Sequence, residues 1–171
     1  MAKAILFDID GTLIRAAAAG SGAMIRSLAL EFGVARHQAE TIIEGIDFRG
    51  ATDQHIFEAA LRGAKLPIGP TWEPFLSCYF HHLDAALKQV PVEVLPGVHA
   101  LVERLQIEKN LCIGVLTGNF RPAARLKLEH VGLGSLLAGP GGFGDDGKRR
   151  SDIVGVALER LKGRGISVKR C

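Results

Sequence analysis

The sequence holds no two cysteines spaced to act together. Cys78, Cys112 and Cys171 are far apart and odd in number, and no C-x-x-C occurs. This argues against a disulfide framework or a zinc knuckle and fits a reducing compartment. No apolar run is long enough to span a bilayer. At the N-terminus, Asp8 and Asp10 stand where a signal peptide needs its apolar stretch. Charge of one sign is lacking too. Lys and Arg number 21 against 18 Asp and Glu, a net of +3, which gives no case for a nucleic-acid partner. The tail from Gly147 is more basic and reads as a solvated helix face. The six histidines form no H-x-x-x-H pattern and read as surface or cap residues; adjacent His81 and His82 do not share a helix face. A phosphate loop is nearly spelled by Gly142, Gly147 and Lys148, but Arg149 stands where Ser or Thr is needed, and Asp145 and Asp146 repel phosphate. These absences predict a soluble, cytoplasmic protein with neither a membrane nor a nucleic-acid partner.

What is present is core. The chain has 171 residues, 47% of them apolar and 23% charged, enough for one domain or one domain with an insertion. "KAILFDI" is a short apolar run without alternation, the pattern of a strand buried on both faces. From Gly20 the period becomes helical: Ile25, Leu28, Ala29 and Phe32 recur, with Gly33 as a stop. "ATDQHIFEAALRG" and the stripe Trp72, Phe75, Leu76, Tyr79 and Leu83 continue it, so residues 16–91 hold no strand signal. A Pro-Gly turn then leads into the helix of "VHALVERL". "LCIGVLTGN" is a second strand, in which Cys112 packs in the core, and a helix follows from about Arg121 to His130 with Pro122 in its first turn. "LGSLLAGPGGFGDDG" holds a weaker strand, Ile153 to Leu161 mark a last helix, and "GISVKRC" begins like another strand. Strands alternating with helices predict an α/β fold with a parallel sheet. The helical block is too long for one crossover and is predicted to be an inserted cap.

In an open α/β sheet, ligands gather at the carboxyl ends of the strands. Asp8 and Asp10 end the first strand, and their i, i+2 spacing points both side chains the same way while strand geometry lasts. Gly11 then permits a sharp turn. Two carboxylates so close need compensation, and magnesium, which prefers hard oxygen ligands beside a phosphate, supplies it. Asp8 is then placed to attack phosphorus and Asp10 to protonate the leaving alkoxide. The competing view is a simple hairpin turn at Asp10-Gly11. An EF-hand loop is excluded because its sixth position is Leu13, not glycine. Thr117, Gly118 and Asn119, closing the second strand, offer a hydroxyl and approachable backbone N–H groups for a phosphate oxygen, or else form an ordinary strand-to-helix turn. Arg149 or Arg150, just before a helix, can reach back to neutralise phosphate and carboxylate.

Asp8-Ile9-Asp10-Gly11-Thr12-Leu13, then "VLTGN", then a basic residue leading a helix, resembles the haloacid dehalogenase superfamily, nearest its phosphoglycolate phosphatase-like members. The resemblance implies a Rossmann-like parallel sheet core in residues 1–15 and 92–171, with an inserted α-helical cap in 16–91. It implies a magnesium-dependent phosphatase acting on a small phosphorylated metabolite. Asp8 would be the nucleophile and a metal ligand. Asp10 would be the general acid and base and give magnesium its backbone carbonyl. Gly11, Thr12, Thr117, Gly118 and Asn119 would surround the phosphoryl group. Arg150 fits the basic motif better than Arg149. In the cap, "FRGATDQHI" resembles the family's substrate-side turn, making Arg49, Gly50, Thr52 and Asp53 candidates, although Thr52 or Asp53 serves equally as a helix N-cap. The aspartate two residues after the nucleophile marks phosphatases and phosphomutases and is lacking in true dehalogenases. Family members also continue into a strand ending in metal-binding acids, which "GISVKRC" begins without reaching. On that ground the core is expected to be incomplete at its C-terminus, magnesium binding weakened and turnover feeble, with a non-catalytic binding protein or a phosphomutase as the alternatives.

Overall fold

The computed structural model describes residues 3–16 and 18–166. The chain divides into two compact units, one formed by the segments Met1–Arg15 and Val92–Cys171, the other by Ala16–Pro91.

Among the described residues, the first unit is built on a parallel sheet of three strands, β1 (Lys3–Phe7), β4 (Leu111–Leu116) and β5 (Gly141–Gly142), with β4 in the middle. Lys3 pairs with Leu111 and Phe7 with Val115, and Leu116 pairs with Gly142. Its α-helices among the described residues are α5 (Val98–Gln106), α6 (Arg121–His130) and α7 (Arg150–Gly163). Their buried stripes, among them Val98 and Val102, Ala124 and Leu128, and Ile153, Ala157 and Leu161, recur at three- and four-residue spacing as an amphipathic helix requires. The α/β class and its parallel sheet are as the sequence predicts.

Two details differ. β1 is not buried on both faces: Ala4 to Phe7 are half-buried and Lys3 is exposed, because among the described residues β1 has one strand neighbour. Half-buried Cys112 shares that position on β4. The weak third strand shrinks to two glycines. A side chain on Gly139 or Gly141 would lie 1.7 or 2.2 Å from a β4 carbonyl oxygen, so only glycine lets this segment approach β4. "GISVKRC" lies outside the described residues from Ser167 onward.

The hairpin alternative for Asp10-Gly11 is half right. Gly11 adopts a φ of +78° in a tight turn, after which Ile14 bridges Asp10 in parallel. The chain then forms β2 (Ile14–Arg15), which pairs antiparallel not with β1 but with β3 (Glu93–Val94).

The second unit is helical throughout: α1 (Ala19–Arg26), α2 (Arg36–Glu44), α3 (Asp53–Gly63) and α4 (Ile68–Gln89). α1 widens into a π turn over Ser27–Glu31 before Gly33, at φ +67°, ends it. The core is aromatic: Phe57 packs edge-on against Tyr79, with centroids 4.5 Å apart, and against Phe75 at 5.4 Å. His82, on α4, is buried rather than at the surface, with Glu31 3.5 Å from its Nε2. Among the described residues no helix is long and apolar enough to cross a membrane.

Candidate active site

Parallel pairing of β1 with β4 brings two loops together, the one after Phe7 and the one after Leu116. Asp8 is the first residue beyond β1. Its Oδ1 accepts the backbone N–H of Ile9 at 2.9 Å, which orients the carboxylate locally. Its Oδ2 accepts Arg150 Nη2 at 3.2 Å. Arg150 is the first residue of α7, so the helix start carries the cation to the strand end. Arg149 turns elsewhere: its backbone N–H and guanidinium go to Asp152. Asp8, Arg150 and Thr117 line one cleft of about 190 Å³, walled by Leu6, Leu116 and Ile153.

Asp10 is held differently. Ile9 between them is fully buried and anchors the turn. The Asp10 carboxylate accepts Lys127 Nζ at 2.9 Å on Oδ1 and 2.8 Å on Oδ2, and Asn119 Nδ2 at 2.7 Å on Oδ2. Asn119 Nδ2 also donates to Thr117 Oγ1 at 2.9 Å, and Lys127 Nζ to Asn119 Oδ1 at 2.7 Å. The Asn119 backbone N–H turns inward to Thr117 Oγ1 at 3.2 Å. Asn119 thus faces Asp10 with its side chain rather than offering its amide N–H to solvent. Gly11 and Thr12 form the turn: their N–H groups bond Ile14 and Ile9 carbonyls.

Lys127 is the member of this cluster that sequence reasoning missed. The signal was there: "RPAARLKLEH" puts a lysine in register with Ala123, Ala124 and Leu128, on the helix face that is buried. A lysine on an apolar face requires a partner, and nothing local supplies one.

A second set of bonds fixes the loop that carries α7. Gly144 N–H donates to Asn119 O at 2.7 Å, Thr117 N–H to Gly142 O at 3.0 Å and Arg121 N–H to Asp145 Oδ1 at 2.8 Å. A Cβ on Gly144 would lie 2.2 Å from Gly118 O, so glycine is required there. Asp146 is gripped by both Arg160 guanidinium nitrogens, one of them at 2.7 Å on Oδ1, and accepts the Phe143 N–H at 2.9 Å. Burial pushes the Asp146 carboxyl up, but the Arg160 hydrogen bonds, the Phe143 N–H and the charges of Arg160 and Arg121 outweigh it and hold it below the usual carboxylate range. This loop is therefore a strut, and not the phosphate loop its glycines nearly spell.

In the helical unit, Arg49 is exposed and pairs with Asp47 at 2.9 and 3.0 Å, which lowers the Asp47 carboxyl. Gly50 takes a φ of +68°. Thr52 is buried and caps α3, accepting the His55 N–H at 3.4 Å, and Asp53 opens the helix.

A strand-end carboxylate faces an arginine beside a second carboxylate and a threonine, a set of groups in which a carboxylate can act as a nucleophile. The haloacid dehalogenase-like hydrolase family matches residues 2–171, and the chain belongs to that family. Among solved structures, it is similar to a haloacid dehalogenase-like family hydrolase from Streptococcus pneumoniae, at 18% identity and a TM-score of 0.61, covering 99% of this chain and 73% of that one. It is also similar to a 2-haloacid dehalogenase from Pseudomonas syringae pv. Tomato, at 21% identity and a TM-score of 0.51, covering 97% and 74%. No curated protein matches the chain.

Proposed function

We propose that the chain is a phosphomonoester hydrolase acting on a small phosphorylated metabolite, such as phosphoglycolate, through an aspartyl-phosphate. The observation that carries this is Asp8 at the strand end, oriented by the Ile9 N–H and faced by Arg150 in the cleft that Thr117 also lines. Asp8 attacks phosphorus as the bond from phosphorus to the ester oxygen breaks, and Asp10, protonated, gives its proton to the leaving alkoxide. Asp10, now a carboxylate, takes a proton from the water that attacks the phosphoryl group. The bond from Asp8 to phosphorus breaks, freeing phosphate and restoring Asp8. Arg150 offsets the charge on the phosphoryl oxygens, and Thr117 offers them a hydroxyl.

The available donors suit magnesium in kind. The Asp8 carboxylate, 38% exposed along its side chain, and the Asp10 backbone carbonyl are hard oxygens at the place a phosphate would enter. When bound, the ion neutralises phosphate charge. Among the described residues no third carboxylate or histidine joins these two.

The test is release of p-nitrophenolate from p-nitrophenyl phosphate in excess magnesium, with Asp8→Asn as control. Turnover abolished by Asp8→Asn supports the proposal. Turnover unchanged in that variant overturns it, and a chain that binds phosphate without turnover is a binding protein.

A further inference from the structure

We infer that Lys127 is a positioning residue for Asp10: buried in α6, it fixes which oxygen lone pair of the Asp10 carboxylate is left to meet the reacting atoms. The inference rests on the phosphatase proposal, since it assigns Asp10 its proton-transfer work.

Three observations carry it. The ammonium of Lys127 has three donors, and the structure gives it three acceptor atoms, Asp10 Oδ1 and Oδ2 and Asn119 Oδ1, all within 2.7–2.9 Å. Asn119 is in turn locked to Thr117, so the group has one self-consistent arrangement. Second, an ionised carboxylate has about four lone-pair directions. Three are taken, two by Lys127 and one by Asn119. One remains, and its direction is set by the clamp. A free aspartate at a strand end samples several rotamers, whereas a proton donor must sit within hydrogen-bond reach of one oxygen. Third, Lys127 is 6% exposed on a face otherwise formed by alanine and leucine. Burying an ammonium is costly before it is paired, and packing alone gives no reason to incur that cost. A leucine there would complete the α6 stripe. From α6 the lysine joins Asp10, after β1 and 117 residues away, to Asn119, after β4.

Lys127→Met keeps the length and helix propensity of the side chain and removes the charge. The p-nitrophenolate ion leaves without needing a proton, so formation of the aspartyl-phosphate tests the fold of the site, and its hydrolysis tests Asp10. In rapid-mixing measurements in excess magnesium, the p-nitrophenolate burst of Lys127→Met should stay within about 3-fold of the unsubstituted chain, while steady turnover falls by about 100-fold. A lysine that merely supports the fold would slow both phases together, and that result overturns the inference. So does turnover equal to the unsubstituted chain. The second measurement does not depend on activity: urea unfolding of Lys127→Met, Asp10→Asn and the double variant. The two substitutions should be non-additive by about 10-fold in the unfolding equilibrium constant, and additivity overturns the clamp. An unsubstituted chain whose p-nitrophenolate release is unchanged by Asp8→Asn rejects the phosphatase proposal by itself and leaves the unfolding cycle to decide the clamp.

Discussion

At 3.2 Å, Arg150 holds the Asp8 carboxylate by a single oxygen, while its neighbour Arg149 is spent on Asp152. Both side chains are exposed, 83% for Arg149 and 46% for Arg150, so the two can be compared in activity. Arg150→Met removes the one guanidinium that reaches Asp8 and is expected to lower kcat/KM for p-nitrophenyl phosphate by about 100-fold, the usual cost of losing one charge-stabilising donor. Arg150→Lys should recover part of it by keeping the charge. Arg149→Met should leave kcat/KM within about 3-fold of the unsubstituted chain. Equal losses at the two positions would show that general basicity, rather than the Asp8 contact, matters. The residue scale is also where sequence reading reached furthest and fell short. Asp8 and Asp10 declare themselves by sitting two apart after an apolar run. Lys127 declares only that it is misplaced. Its partner lies more than a hundred residues away, and the pairing exists only once β1 and β4 align.

Among the elements, β5 and α7 depend on a contact that neither could make alone. Asp146 joins the end of the glycine segment to Arg160 on α7, and Arg160 also donates to Gly141 O at 2.8 Å. This contact holds α7 where its first residue reaches Asp8. Asp146→Asn is expected to cost about 2 kcal/mol at neutral pH, below the range for a fully buried pair because Arg160 is 38% exposed. The pH dependence has a definite sign. A carboxyl held below its unfolded value stabilises the fold above that value, about pH 4, and the contribution disappears as pH falls through the lower folded value. The stability gap between the unsubstituted chain and Asp146→Asn, read from urea midpoints, should therefore narrow as pH is lowered below about 4. A gap equal at neutral and acid pH would remove the ion pair from the account. Elements with strong periods, β1, β4, α6 and α7, were legible in the sequence for the reasons that form them. β5 was barely legible, since glycines carry no pattern. The π turn after α1 was not, because no residue pattern marks one.

For the whole molecule, the sequence marked the helical block by its lack of strand signals, and the structure divides the chain between Arg15 and Ala16 and again between Pro91 and Val92. What the sequence did not disclose is how the interruption is closed. β2 and β3 are two residues each, too short to leave a periodic trace, and they set Ile14 opposite Val94 and Arg15 opposite Glu93. Topologically, the entire helical unit is therefore the loop of a β-hairpin, grown to the size of a domain. Closure entropy rises only with the logarithm of loop length, so the sheet unit pays little for this enlargement. The reverse operation should also be open. Joining Arg15 to Glu93 by an Asn-Gly turn of about two residues restores the shortest hairpin the register allows. The resulting miniature is expected to unfold in one cooperative urea transition with its helical circular dichroism reduced in proportion. A chain that fails to fold would show that the loop, however it is tied, is more than a loop.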